Sequence, residues 1–423
     1  MTVASFTVHE WKELAIGTGG VPRPVARRLH ALAERETRRL RVPQPVLSRT
    51  ARPGLRAGQV VGVLTVPGAS VEILPKVGGE QHEAGRHALT QMLAVAWDLP
   101  TVASDPALMA TQSGDVLEIL VRVFADNLLA AVRRGLPHRY QRREDDLPLL
   151  RGKLDVRRQI THHTSRADRL ACAFDELSVD TPLNRVLRAA VRRLVLVART
   201  SANRRKLQEM AARFESVGDC TDPLGEPVRL DRTNSAFHHL HAMAKLFLAA
   251  DWQSTSAGRS EGFGLLFPMN ELFEAFVGRS MRRALARRDV RLQRGDRYAL
   301  ERDGTGLFAL RPDIVIDDDI VIDTKWKPLD SSRPRLGVSE SDVYQMLAYS
   351  EAYRARRLVL LYPWHEGLDQ AGVCRSWRVY GTSTTFDIAT VDIRKPEEVR
   401  CSLRKIVRGE GDGSPPAVAR GLL

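Results

Sequence analysis

The chain has 423 residues, enough for two or three domains at about 150 residues each. Its composition, 43% hydrophobic and 27% charged with no run near the ~20 apolar residues of a membrane span, excludes membrane-spanning, fibrous and wholly disordered classes. The net charge of +13 rests mainly on arginine, whose planar fork fits phosphate oxygens, and points to a nucleic-acid partner.

Residues 22–40 predict an amphipathic helix, with Val25, Leu29, Leu32 and Ala33 at helical spacing among arginines. Residues 59–66 and 70–75 predict a hairpin turned at Pro67-Gly68-Ala69, so the first stretch reads as a small α+β unit. Gly17-Thr18-Gly19-Gly20 lacks the lysine of a phosphate loop and reads as a plain loop. Helices follow at 85–98 and 114–134. The segment 136–154, rich in charge and proline, predicts an exposed connection at a domain boundary. Its arginines, Arg133-Arg134 and Arg139 to Arg143, could face a DNA backbone, an acidic partner or solvent. Helices at 182–199, 203–216 and 235–250 make the middle mainly helical. His162-His163 reads as loop, and His238, His239 and His241 as packed or solvated, since no further zinc ligands follow at suitable spacing.

After residue 260 the pattern becomes mixed. A helix at 269–288 precedes strands at 290–294, 297–301, 306–310, 312–316 and 320–325. A helix at 340–354 and strands at 357–362, 375–380 and 386–392 follow, then a helix at 396–407 and a flexible tail. The expected organisation is 1–145, α+β and partner-binding; 146–260, mainly helical; 261–410, an α/β region with a mixed sheet flanked by helices; and 411–423, tail. Cys172, Cys220, Cys374 and Cys401 are too far apart for a CxxC site, and the start has no basic-then-apolar leader pattern. Both features predict a reduced, cytoplasmic setting.

The chemistry concentrates in residues 311–327. Two β-branched runs, Ile314-Val315-Ile316 and Ile320-Val321-Ile322, flank Asp317-Asp318-Asp319, which reads as an ordinary solvated turn. If these three form the loop, Ile316 pairs with Ile320 and, counting outward, Asp313 opposes Asp323. Period-two alternation then puts Lys325 on the face of Asp323. Two carboxylates held that close repel each other and resist burial, which a divalent cation resolves. Magnesium (Mg2+) suits such oxygen ligands, with Mn2+ as the alternative. The lysine can orient or help deprotonate a water, or offset developing charge, so the constellation fits hydrolysis of a phosphodiester.

Pro312-Asp313 with Asp323-Thr324-Lys325 resembles the PD-(D/E)xK nuclease motif. The resemblance implies a core of helix, three strands, helix and strand, matching 269–362 with one short strand to spare. It implies a further acidic ligand on the first helix, Glu271 or Glu274, with Glu274 favoured. Val343 to Tyr349 resembles the QxxxY element of RecB-like nucleases, which implies that Gln345 bonds the lysine or a metal-bound water.

The whole chain resembles the McrC family, the nuclease subunits of McrBC modification-dependent restriction systems. The residues carrying the likeness are Val61-Gly62-Val63, Val71 to Lys76, Leu150 to Leu154, Phe174-Asp175-Glu176, Asp180 to Arg185 and Leu272-Phe273-Glu274. The resemblance implies an endonuclease acting on double-stranded, modified DNA, with Asp313, Asp323 and Glu274 as metal ligands and Lys325 and Gln345 in support. It also implies a McrB-like AAA+ GTPase hexamer as the partner whose GTPase it stimulates; the lack of a GxxxxGK[ST] loop here agrees. Two rivals are a non-catalytic adaptor that activates the GTPase and a stand-alone RecB-like nuclease.

Overall fold

A computed structural model describes residues 4–76, 82–98, 115–164, 166, 168–252 and 262–410. The expected tail at 411–423 lies outside the described residues. The chain divides into two compact units, Met1–Leu117 with Asp251–Leu423, and Glu118–Ala250. The architecture is mixed α/β. Among the described residues no helix is long and apolar enough to cross a membrane.

The first unit holds a five-stranded sheet in the order Ala4–His9, Ala69–Leu74, Val60–Val66, Phe263–Pro268, Asp251–Trp252. Val60–Val66 and Ala69–Leu74 are the hairpin expected from sequence, nearly buried throughout because both faces are covered. Helix Arg23–Leu40 lays Val25, Leu29, Leu32 and Ala33 against Val60, Leu64, Val71 and Leu266. Gly62 sits at φ +127°, and a Cβ there would stand 2.0 Å from the Leu265 carbonyl oxygen. Glycine therefore permits the close approach of Phe263–Pro268. Sequence reading left that strand out, along with Ala4–His9.

The same unit holds a six-stranded sheet, in the order Val290–Leu292, Ile314–Ile316, Ile320–Thr324, Arg357–Pro363, Thr385–Val391, Gly372–Arg378. The hairpin has the expected register, Ile314 with Ile322 and Ile316 with Ile320. Its loop holds Asp317 and Asp318 at positive φ, a conformation aspartate tolerates better than most residues. The three loop aspartates are more than solvated: Asp317 pairs with Arg288 at 2.6 Å, Asp318 with Arg294, and Asp319 with Arg356 at 2.6 Å. Ile320–Thr324 runs parallel to Arg357–Pro363, and helix Glu340–Tyr353 makes the crossover. Ser339 caps that helix by accepting from Asp342 N. Its Met346, Tyr349 and Tyr353 pack on Val315, Val321, Leu358 and Leu360. By alternation Ile314, Ile316, Ile320 and Ile322 face the other side. Helix Met269–Ala284 buries Leu272, Phe273, Phe276, Val277 and Met281 along one stripe.

The second unit corrects two expectations. Residues 136–154 are no simple connection: Arg139–Leu147 is a strand paired along its length with Leu170–Ser178, and Lys153–Leu154 adds a third. The middle of the chain is thus a small sheet with helices Pro182–Val197, Ser201–Arg213 and His238–Ala249. Cross-strand and neighbouring pairs take up part of the charge, Arg143 meeting Glu176 at 2.8 Å and Arg139 meeting Asp231 at 3.2 Å. His162 ends a short helix rather than lying in a loop, and His163 is buried 3.0 Å from Asp146. Gly152 is at φ +72°, where a side chain would meet the Ala173 carbonyl oxygen at 2.5 Å.

The Asp180-Thr181-Pro182-Leu183-Asn184-Arg185 segment is a helix start knotted to its surroundings. Pro182 opens the helix, and Thr181 Oγ1 accepts from Asn184 N at 3.3 Å. Asn184 Nδ2 donates to the carbonyls of Pro137 and Val179, and Arg185 grips both Asp180 oxygens at 2.7 Å. Thr181→Ala is expected to lower unfolding free energy by about 1 kcal/mol, read from the urea midpoint, since it orphans a helix N–H.

Candidate functional site

Asp313 lies one residue before strand Ile314–Ile316, and Asp323 is next to last in Ile320–Thr324. One step outward from the Ile314–Ile322 pair sets the two aspartates opposite each other. Thr324 holds Asp313, its N and Oγ1 donating to Oδ2 at 2.7 and 2.6 Å. Lys325 Nζ stands 2.8 Å from Asp323 Oδ2, so the shared face expected from alternation is present. The Lys325 ammonium is the one donor that reaches this enclosed oxygen among the described residues.

Burial and the neighbouring charge work together on these carboxyls. Burial, then Glu274, pushes Asp313 up to about 6; burial, then Asp313, pushes Asp323 up to about 6. Burial also raises Glu274, although Gln293 Nε2 donates to its Oε1 at 2.7 Å. Burial opposes the Lys325 charge, yet Asp323, Asp342 and Asp313 outweigh it and the ammonium is held above its usual range. With no cation between the aspartates, Lys325 is thus held as a charged donor.

Lys325 is aimed by a relay. Its Nζ donates to Gln345 Oε1 at 3.0 Å, Gln345 Nε2 donates to Tyr349 OH at 2.9 Å, and that hydroxyl donates to the Arg311 carbonyl at 3.1 Å. The carbonyl fixes the hydroxyl proton, the hydroxyl then accepts, and the Gln345 amide must turn its oxygen to the lysine. The four-residue spacing on one helix face makes this geometry. Glu271 is exposed in the first helical turn.

Three partners escaped sequence reading. Asp342 lies 3.7 Å from Lys325 and 3.2 Å from Lys327; its place one turn before Gln345 was a usable signal. Gln59, from the other sheet, donates to Asn270 Oδ1 at 3.0 Å and to the Trp326 carbonyl at 2.9 Å. Glu10 is fully buried and accepts from Trp326 Nε1 at 3.0 and 3.2 Å. Burial lifts its carboxyl to about 8. No local pattern marks Gln59 or Glu10.

The donor set is hard oxygen, which suits Mg2+ or Mn2+. Asp323 Oδ2, enclosed and met by the Lys325 ammonium alone among the described residues, keeps lone-pair capacity that a cation would use. Among the described residues no three histidine, cysteine or acidic side chains converge as a finished ligand set. Two aspartates with waters still suffice for Mg2+, which keeps much of its hydration.

A family model described as McrBC 5-methylcytosine restriction system component matches residues 55–363. No curated protein matches the sequence. Two solved structures share the fold. One is a chain of the refined half-complex from the tetradecameric assembly of Thermococcus gammatolerans McrB AAA+ hexamers with bound McrC. It is 20% identical with a TM-score of 0.72, covering 96% of this chain and 100% of that one. The other is a chain of the Thermococcus gammatolerans McrBC complex, 24% identical with a TM-score of 0.54, covering 67% and 89%.

Proposed function

Because the chain belongs to the McrBC family of 5-methylcytosine restriction system components, we propose that it is the McrC-type subunit, a metal-dependent endodeoxyribonuclease that works on a McrB-like AAA+ GTPase ring. The single observation carrying the chemistry is the opposition of Asp313 and Asp323 with Lys325 Nζ 2.8 Å from Asp323. The order helix, strands, helix, strand from Met269 to Pro363 supports a PD-(D/E)xK core.

Asp313 and Asp323, with Glu274 once it turns from Gln293, would hold the cation. A bound divalent cation supplies Lewis acidity to the phosphodiester and acidity to a water. Lys325, aimed by Gln345 and Tyr349, presents its ammonium to the attacking water and to the charge that builds on the phosphoryl oxygens. Water adds to phosphorus, the bond to one bridging oxygen breaks, and that oxygen leaves with a proton from solvent.

A surface suited to the ring partner lies on the second unit. Tyr140, Leu149, Leu150, Val156, Ile160 and Leu177 are all more than half exposed, on the small sheet, its turn and the short helix. Such apolar clustering fits a protein contact.

The test is cleavage of methylated duplex DNA by the chain with its ring partner, GTP and Mg2+. Cutting should stop with EDTA, and Lys325→Met should lower kcat by about 10²–10³-fold. Cutting that survives EDTA, or a Lys325→Met protein as fast as the native one, overturns the reading. Cutting without the ring would instead favour the stand-alone nuclease.

A further inference from the structure

Beside Asp313 the site continues into a cavity of about 530 Å³, the size range of small-ligand pockets. Its wall runs from Asp313, Glu274 and Gln293 to Arg279 and Trp97. Trp97 leans on Phe267, ring centroids 5.1 Å apart at 55°, and is only partly buried, so indole surface is left to the cavity. Arg279 is also partly buried. Among the described residues its guanidinium has no ion pair or hydrogen bond, although Glu271 and Glu274 lie on the same helix. A half-buried arginine without a partner is a ready anion contact.

We propose that this cavity is a nucleotide subsite, which takes the base next to the scissile phosphate out of the helical stack. The base lies on Trp97, and Arg279 holds the neighbouring phosphate. This rests on the reading of the site as a DNA nuclease. Three features support it. The cavity is continuous with the carboxylates rather than separate from them. It pairs one flat π-surface with one cation, the two groups a nucleotide needs. Arg279 follows Glu274 by five residues, ~7.5 Å along the helix, so it addresses a phosphate beyond the one being cut. Both faces of a base inside a duplex are covered by its neighbours, so lying on Trp97 requires that nucleotide to leave the stack. Stacking on an indole is indifferent to base identity, so the subsite would set strand geometry and leave sequence choice elsewhere.

The experiment uses the full chain with its ring partner and duplexes carrying 5-iododeoxyuridine at each position around the mapped cut. Irradiation should crosslink one flanking position to Trp97, located by mass spectrometry. Trp97→Ala should lower kcat/KM by about 5- to 100-fold, and Trp97→Phe should restore most of it. Arg279→Ala should reduce the slope of log affinity against log salt by about one, with Arg279→Lys retaining it. Matching melting temperatures for the Phe and Lys variants separate contact from folding. Crosslinks only elsewhere, or a Trp97→Ala protein with unchanged kcat/KM, overturn the subsite. A native complex that cuts no DNA defeats the nuclease reading instead, and the iodinated position is then moved along the whole duplex to report whether a base reaches Trp97.

Discussion

Asp323→Asn is expected to abolish cleavage, by about 10³-fold or more, and yet to raise the melting temperature in cation-free buffer at pH 8. Cleavage falls because one of two facing carboxylates is gone. The stability gain follows from linkage. Burial and Asp313 set the folded pKa of Asp323 at about 6, above its ordinary 3.8. The folded state therefore binds more protons than the unfolded one between those values, and stability falls as pH rises through that window. Above it the penalty is complete, and Asp313 shares it. The attraction of Lys325 is already included in that balance and does not reverse it. Lys325 keeps Gln345 and Asp342 as neighbours in the variant, so no new unpaired charge is created. Native protein should lose stability between pH 4 and 6, and regain it with Mg2+ at pH 8. The variant should show a shallower pH slope and little response to Mg2+. Thermal scans across pH, with and without cation, check this. A variant that melts lower at pH 8 and still binds Mg2+ would remove Asp323 from the site.

Leu149→Asp combined with Ile160→Asp is expected to cost at least 100-fold in affinity for the GTPase ring while leaving the melting temperature nearly unchanged. Leu149 is 78% exposed and Ile160 65% exposed, so neither supports the fold. An aspartate buried unpaired in a protein contact costs about 3 kcal/mol or more, so two placed there should exceed the 100-fold threshold. Val156 and Ile160 are four apart on one short helix, and Tyr140 is directly opposite Leu177 in the sheet, so these positions form local pairs rather than scattered exposures. Equilibrium binding to the ring, with GTP hydrolysis as a second readout, is the measurement. Unchanged binding and hydrolysis would move the contact off this unit.

Most of this was legible where a local pattern has one physical solution. Ile314 to Ile322 reads as a hairpin of two β-branched runs, and once the three aspartates are taken as its loop the register follows by counting. Gln345 and Tyr349 stood out through the likeness to the QxxxY element, and their spacing then put them on one helix face. Arg139–Leu147 did not, because its run of arginines and acids carries no apolar alternation; its pairing rests on backbone bonds and cross-strand charge. Phe263–Pro268 reads as a buried run of either kind, and its partner, Val60–Val66, is distant in sequence. Gln59 and Glu10 were invisible for the same reason: their role exists only once two remote segments meet.

That meeting limits how the protein can be dissected. Phe263–Pro268 is hydrogen-bonded along Val60–Val66 and runs straight into the helix bearing Glu274, while Gln59 fastens both Asn270 and the peptide after Lys325. An excised C-terminal fragment would begin with a bare apolar strand edge and a loosened lysine loop, prone to self-association. The part that bears the paired aspartates is thus not a cassette that can be transplanted, and gene fusions should carry the first sheet along with it.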